Sequence, residues 1–180
     1  MEALRNIIII ELLFSTGGRV SEIANLKSSD VNLTNGEIII NGKGKKQRII
    51  QICNEELLSQ LRVYKKAWIC KIEAADDNFL VNRFGGKISD QSIRLLVRKL
   101  CKQAGIKKHV TPHVFRHTFA TLLLEKDVDI KYIQEMLGHS SIAITQIYTH
   151  VNKIKQRQLL RTKHPRRDLS FVDFSQSNNG

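Results

Sequence analysis

Only two prolines occur in the 180 residues, and the one at position 112 does most to restrict the fold. Thr111 is a good N-cap, and Pro112 then takes the first helical position, where its missing N–H costs nothing. A helix starts there. Gly138 reads as the C′ glycine that ends a second helix beginning near Asp129. On the first of these helices His113, Arg116 and His117 are related by i, i+3 and i+4, so all three share one face. Phe115, Phe119 and Leu122 form a neighbouring stripe fit for burial. One face is polar, and the other holds it still.

Most of the remaining chain is helical in pattern. Met1 to Thr16 is rich in isoleucine, which favours strand, but its length and the Leu4, Ile8, Glu11 spacing favour a buried helix. Thr16-Gly17-Gly18-Arg19-Val20-Ser21-Glu22 is a glycine-permitted turn into a short helix carrying Ile23 and Leu26. Arg19 and Glu22 share a face of it; an ordinary surface pair of this kind contributes well under about 1 kcal/mol, yet the glycines let a large anion approach closely. Glu37 to Asn41 and Arg48 to Ile52 flank Gly42-Lys43-Gly44-Lys45-Lys46-Gln47, a β-hairpin with a basic tip. Asn54 caps a helix with Leu57, Leu61, Trp68 and Ile72 on its apolar stripe and Tyr64 in or near the core. Asn78 to Arg83 reads as a short strand ending at Gly85-Gly86. Ser89 or Asp90 caps a further helix, with Ile93, Val97, Leu100 and Ala104 inward and Gly105 at its end. The pattern is mainly α with a small antiparallel β-sheet, an α+β chain.

The length suits one domain with a real core plus a tail. Lys and Arg number 29 against 17 Asp and Glu, a net charge of +12 with a pI near 9.8. Such an excess points to a polyanion, with nucleic acid ahead of a membrane surface because the basic residues are spread out and no run of 18 apolar residues exists to span a bilayer. No targeting segment is recognisable. Cys53, Cys70 and Cys101 are odd in number and far apart, as for reduced thiols in the cytoplasm, and give neither a disulfide framework nor a CxxC metal knuckle.

The chemistry-bearing residues cluster late. His139 follows the Gly138 helix stop, and Tyr148 comes nine residues after it. Arginine offers a fixed fork for phosphate oxygens, histidine moves a proton near neutrality, and a tyrosine hydroxyl can attack as a covalent nucleophile. None of these groups needs a metal. Read in order, Thr16-Gly17-Gly18-Arg19-Val20-Ser21-Glu22, Gly42-Lys43-Gly44-Lys45, His113-Val114-Phe115-Arg116-His117, Leu137-Gly138-His139-Ser140-Ser141 and Gln146-Ile147-Tyr148-Thr149-His150 together resemble the catalytic domain of the tyrosine recombinases, the phage-integrase and Xer-type family. The resemblance covers residues 1 to about 167, leaving 168–180 as a tail that is flexible or docks in trans.

What the resemblance implies is specific. Arg19 and Arg116 are the two catalytic arginines, Lys43 the hairpin lysine, His113 and His139 the two active-site histidine positions and Tyr148 the nucleophile. Glu22 and His117 support the site. Apart from the resemblance, the basic hairpin and the polar face of the helix after Ser89 make Lys45, Lys46, Arg48, Arg94 and Arg98 the expected DNA contacts. The activity implied is site-specific cleavage and rejoining of double-stranded DNA through a 3′-phosphotyrosine, with no metal, ATP or other cofactor. Its partners would be double-stranded DNA and further protomers, forming a tetramer on paired sites, in the cytoplasm on the nucleoid and not on a membrane. Gly18 and Leu122 depart from common family residues at non-catalytic positions. Family members usually carry a separate N-terminal DNA-binding domain and one more leading helix, so the chain is expected to be a fragment or a truncated product. Three rivals remain: a zinc protein built on His109, His113 and His117, although it lacks a His-Glu-x-x-His motif; a DNA-binding module without catalysis; and a tyrosine-type topoisomerase sharing the same chemistry.

Overall fold

The computed structural model describes residues 2–42, 44, 46–74, 76–138 and 150–165, with the backbone alone at 69, 71–74 and 150–156. Helix α1 (Glu2–Thr16) is the element around which the others gather, packing against α3 (Glu55–Ala74), α4 (Asp90–Gln103) and α5 (Pro112–Glu125). Its isoleucine run is helical because Ile8, Ile9, Leu12 and Leu13 are all fully buried. Packing overrides the intrinsic strand preference of isoleucine. A short helix α2 (Val20–Ala24) follows, then a 3₁₀ turn at Ser28–Asp30 and a three-stranded antiparallel sheet of β1 (Val31–Asn32), β2 (Glu37–Asn41) and β3 (Gln47–Gln51).

The expected hairpin is β2–β3, in register Ile38↔Ile50 and Ile40↔Arg48. Ile38, Ile40, Ile50 and Ile52 are buried. On the helical side, α4 is capped by Ser89 Oγ, which accepts from the Ser92 N–H at 3.1 Å, and α3 by Asn54, whose Oδ1 accepts from the Leu57 N–H at 2.8 Å. Helix α6 (Ile130–Leu137) ends at Gly138 in the left-handed region, φ 64°, as its sequence requires. Helix α7 (His150–Lys163) closes the described chain.

Four local expectations are corrected. Asn78 to Arg83 forms no strand but two isolated bridges, Lys27↔Asn78 and Val81↔Lys87. Ala104 is exposed, because α4 turns out of the core at its last residues. On α5 it is Leu123, with Phe119, that is fully buried, whereas Phe115 and Leu122 are half-buried. Thr111 holds the extended backbone of an N-cap, but its side chain makes no cap bond.

Candidate active site

The site begins with the turn between α1 and α2. Thr16 Oγ1 donates to Leu12 O at 2.6 Å and accepts the Gly18 N–H at 3.0 Å, which closes α1 and sends the chain sharply toward α2. Gly17 has φ +57°, and a Cβ there would lie 2.7 Å from Phe119 Cδ1 and 2.9 Å from Leu137 Cδ2. Only glycine permits both the dihedral and the approach. The turn therefore presses directly on α5 and α6, and its carbonyl becomes available to Arg116.

Arg116 uses that carbonyl. Its Nη1 donates to Gly17 O at 2.7 Å and its Nη2 to Leu137 O at 2.6 Å, so one guanidinium ties α5 to the first turn and to the open end of α6. The last carbonyls of a helix lack partners within it, which makes Leu137 O a strong acceptor. Burial, reinforced by the nearby charges of Arg19 and Arg48 and offset only in part by Glu22, pushes Arg116 down to about 10. It stays protonated at neutral pH, a cation held in place at a cost.

Arg19 lies just before α2 with its side chain 41% exposed, and its Nη1 donates to Glu22 Oε1 at 2.9 Å while its backbone N–H donates to Glu22 Oε2 at 2.8 Å. The carboxylate itself is buried. Unaided burial would raise the Glu22 pKa, but hydrogen bonds from Arg48 and from the Arg19 backbone outweigh it and hold the carboxyl below its ordinary value. Three guanidinium groups, Arg19, Arg48 and Arg116, thus surround one carboxylate, and three minus one leaves two positive charges uncompensated. A half-buried site with that balance is built to receive an anion.

Arg48 overturns its sequence assignment. It is not a DNA contact on the hairpin surface but a buried residue, 5% exposed, on the inward face of β3. Its Nη1 and Nη2 grip the two Glu22 oxygens at 3.1 and 2.7 Å, and its Nε donates to Met136 O at 2.6 Å. The alternation of a strand carried the signal, since residues 48, 50 and 52 share the face that buries two isoleucines.

Of the other candidate residues, His113 and His117 are exposed on α5, His113 one turn before Arg116. Lys46, Arg94 and Arg98 are exposed, Arg94 within 3.9 Å of Asp90. Lys43, Lys45, His139 and Tyr148 lie outside the described residues. Among the other tyrosines, Tyr64 is fully buried, its hydroxyl donates to Phe79 O at 3.0 Å, and burial pushes its pKa up to about 12. It is a core residue and a poor nucleophile. Tyr132 is half-buried on α6 against the core. Among the described residues no three His, Cys, Asp or Glu side chains converge to hold a metal ion, and His109, His113 and His117 are each exposed.

One further buried histidine was not anticipated. His164 Nε2 lies 2.9 Å from Ser15 O, and its ring meets Phe119 edge-on at 5.7 Å. With Leu160 buried as well, the end of α7 packs on its own domain.

The profile of the phage integrase family matches residues 1–155. A tyrosine recombinase of Agathobacter rectalis is 56% identical over 169 residues, covering 94% of this chain and 55% of that protein. The crystal structure of XerA recombinase superposes with a TM-score of 0.72 at 40% identity, covering 92% of this chain and 60% of that one. The XerH site-specific recombinase, solved bound to its difH substrate before cleavage, gives a TM-score of 0.65 at 30% identity over 86% of this chain and 42% of its own. The chain spans about half the length of the curated relatives it matches.

Proposed function

The chain belongs to the phage integrase family, and from that premise we propose that it cleaves and rejoins double-stranded DNA by transesterification as the catalytic portion of a site-specific recombinase. The observation that carries this reading is the arginine cluster. Arg19 and Arg116 come from different elements, each is fixed by backbone or carboxylate partners, and together with Arg48 and Glu22 they leave a net positive site. A phosphodiester under attack gains negative charge at phosphorus, and preorganised donors stabilise it without reorganising at the moment of reaction. An arginine carries five N–H donors, so Arg116 keeps some for phosphate after satisfying Gly17 O and Leu137 O.

In the proposed reaction the Tyr148 oxygen attacks phosphorus, and a tyrosine–phosphate bond forms as the bond from phosphorus to the 5′-oxygen breaks. The tyrosine proton passes to a site histidine. Lys43 at the hairpin tip supplies a proton to the departing 5′-oxygen, which leaves badly as an alkoxide. A phosphoester is exchanged and none is hydrolysed, so rejoining by the reverse path requires no energy source. Lys45, Lys46, Arg94 and Arg98 are proposed DNA contacts, and further protomers, four on paired sites, are the proposed partners. Among the described residues no helix is long and apolar enough to cross a membrane, and association with the nucleoid is part of the proposal.

The test is covalent capture on DNA. A nicked suicide duplex at low ionic strength is expected to give a denaturant-stable adduct with the wild-type chain and none with Tyr148→Phe. An undiminished adduct with the phenylalanine variant would remove Tyr148 from its role.

A further inference from the structure

Arg48 is buried and donates three hydrogen bonds, and in the proposed reaction it counts only toward the charge of the site and is assigned no contact with the phosphate. It stands on β3 opposite Ile40, among the side chains that fill the core. A guanidinium in such a place costs free energy unless its donors and its charge are satisfied. Both are. Two donors go to Glu22 and one to Met136 O, and a Cβ placed on Gly138 would sit 3.1 Å from Arg48 Nη1, so the end of α6 closes onto the group. The same two Glu22 oxygens take Arg19, through its side chain at Oε1 and its backbone N–H at Oε2. Glu22 is thus a shared acceptor between a buried arginine and a half-exposed one.

We infer that Arg48 is a positioning residue of the phosphate clamp: without touching DNA, it holds Glu22 ionised and oriented so that Glu22 can aim Arg19, while fixing the end of α6 that Arg116 also grips. This rests on the reading of the site as a phosphodiester clamp. Arg48 and Arg116 take successive carbonyls, Met136 O and Leu137 O, so both arginines seat the segment that leads to His139. The chain of cause runs from β3 to Glu22 to Arg19 to phosphate.

Removing the Arg48 charge has a distinctive consequence. Glu22 then keeps Arg19 as its direct partner, its burial is no longer offset by Arg48, and its pKa rises. Once protonated it no longer accepts from Arg19 at both oxygens, and the clamp loosens. The charged groups facing Glu22 are Arg19 before α2, Arg48 on β3 and Arg116 on α5, and Arg116, lowered only to about 10, keeps its charge from pH 5 to 8. The site histidines are common to all the variants compared.

The experiment measures single-turnover adduct formation from pH 5 to 8 for wild type, Arg48→Met, Arg48→Lys and Glu22→Gln. Two nicked duplexes are used, one ordinary and one with a neutral methylphosphonate at the scissile position. A misaimed clamp is expected to slow Arg48→Met by about 10- to 100-fold on the ordinary duplex at neutral pH. The defect deepens as pH falls, whereas in Glu22→Gln, which has no carboxyl to protonate, it does not. On the methylphosphonate, where the clamped charge is gone, the Arg48→Met defect largely disappears. Arg48→Lys keeps the charge without the fork, and is expected to retain the wild-type pH profile at a reduced rate. An Arg48→Met protein that folds by circular dichroism and cleaves like wild type at every pH overturns the proposal. So does a loss of equal size on both duplexes and at all pH values, which would make Arg48 a purely structural residue. If Arg48→Met does not fold, a wild-type rate for Arg48→Lys on the ordinary duplex overturns it equally. No adduct with wild type would instead remove the phosphodiester reading, and this role with it.

Discussion

Lys43 and Arg116 are expected to fail differently when replaced, because one is assigned a proton and the other a charge. The strands around Lys43 end in the Asn41↔Gln47 pair and the Gly42 N–H to Lys46 O bond of 2.8 Å, which root the hairpin tip. Lys43→Ala is expected to be slow on ordinary DNA and largely rescued when the leaving 5′-oxygen is replaced by sulfur, a far weaker base; equal defects on both would make Lys43 a phosphate contact. Arg116→Lys cannot bridge Gly17 O and Leu137 O while holding a phosphate, and cleavage is expected to fall by about 10²–10³ with no thio rescue. At this scale the sequence was legible where residues act locally. The Arg19–Glu22 pair follows from i, i+3 spacing and Arg116 from its helix face. Arg48 was not legible as a support, because its partners Glu22 and Met136 are 26 and 88 residues away and a basic hairpin suggests solvent or DNA. The inward register of β3 was the overlooked clue.

Elements were read from their ends more reliably than from their middles. Gly138, Asn54 and Ser89 stop or start helices through bonds local in sequence, and the structure keeps each. The burial of His164 against Ser15 O depends on a contact 149 residues apart, which no periodicity in α7 could report. At Gly17 the turn after α1 meets α5 and α6 with no room for a side chain. Gly17→Ala would incur about 1–2 kcal/mol for the left-handed backbone and about 1–3 kcal/mol for overpacking against Phe119 and Leu137. Urea unfolding is expected to show the sum, and a loss below about 0.5 kcal/mol, the scale of an ordinary surface change, would mean that the turn relaxes freely. Glu22 adds a pH dependence of known sign. Its folded pKa lies below the ordinary 4.5, so its ionised contacts stabilise the fold above that value and are lost as pH falls through the lower, folded pKa. Between neutrality and that acid range, wild type should lose more stability than Glu22→Gln.

Across the whole molecule the +12 charge and the proposed tail make separable predictions. Sequence-independent affinity for DNA comes from phosphate neutralisation and falls steeply with salt. Residues 168–180 hold no lysine or arginine and two aspartates, Asp168 and Asp173, so deleting them removes no positive charge. If the segment were only a flexible tail, its loss would change neither the salt slope nor assembly, whereas loss of a nonspecific DNA-binding tail would lower affinity in a salt-sensitive way. Leu169, Phe171, Val172 and Phe174 argue otherwise, being apolar residues placed after Pro165, beyond the α7 end that Leu160 and His164 anchor on the chain's own core. The end of α7 is held in cis by Leu160 and His164, and the proposed trans contact is assigned to the apolar segment beyond it. Deletion from Asp168 onward is expected to leave binding of a single protomer to one half-site unchanged, or slightly tighter for the loss of two negative charges. Cooperative occupancy of paired sites and strand exchange should both fall. Gel-shift titration on single and paired sites measures the first two and a recombination assay the third; intact cooperativity with intact exchange would rule out the segment as a link between protomers.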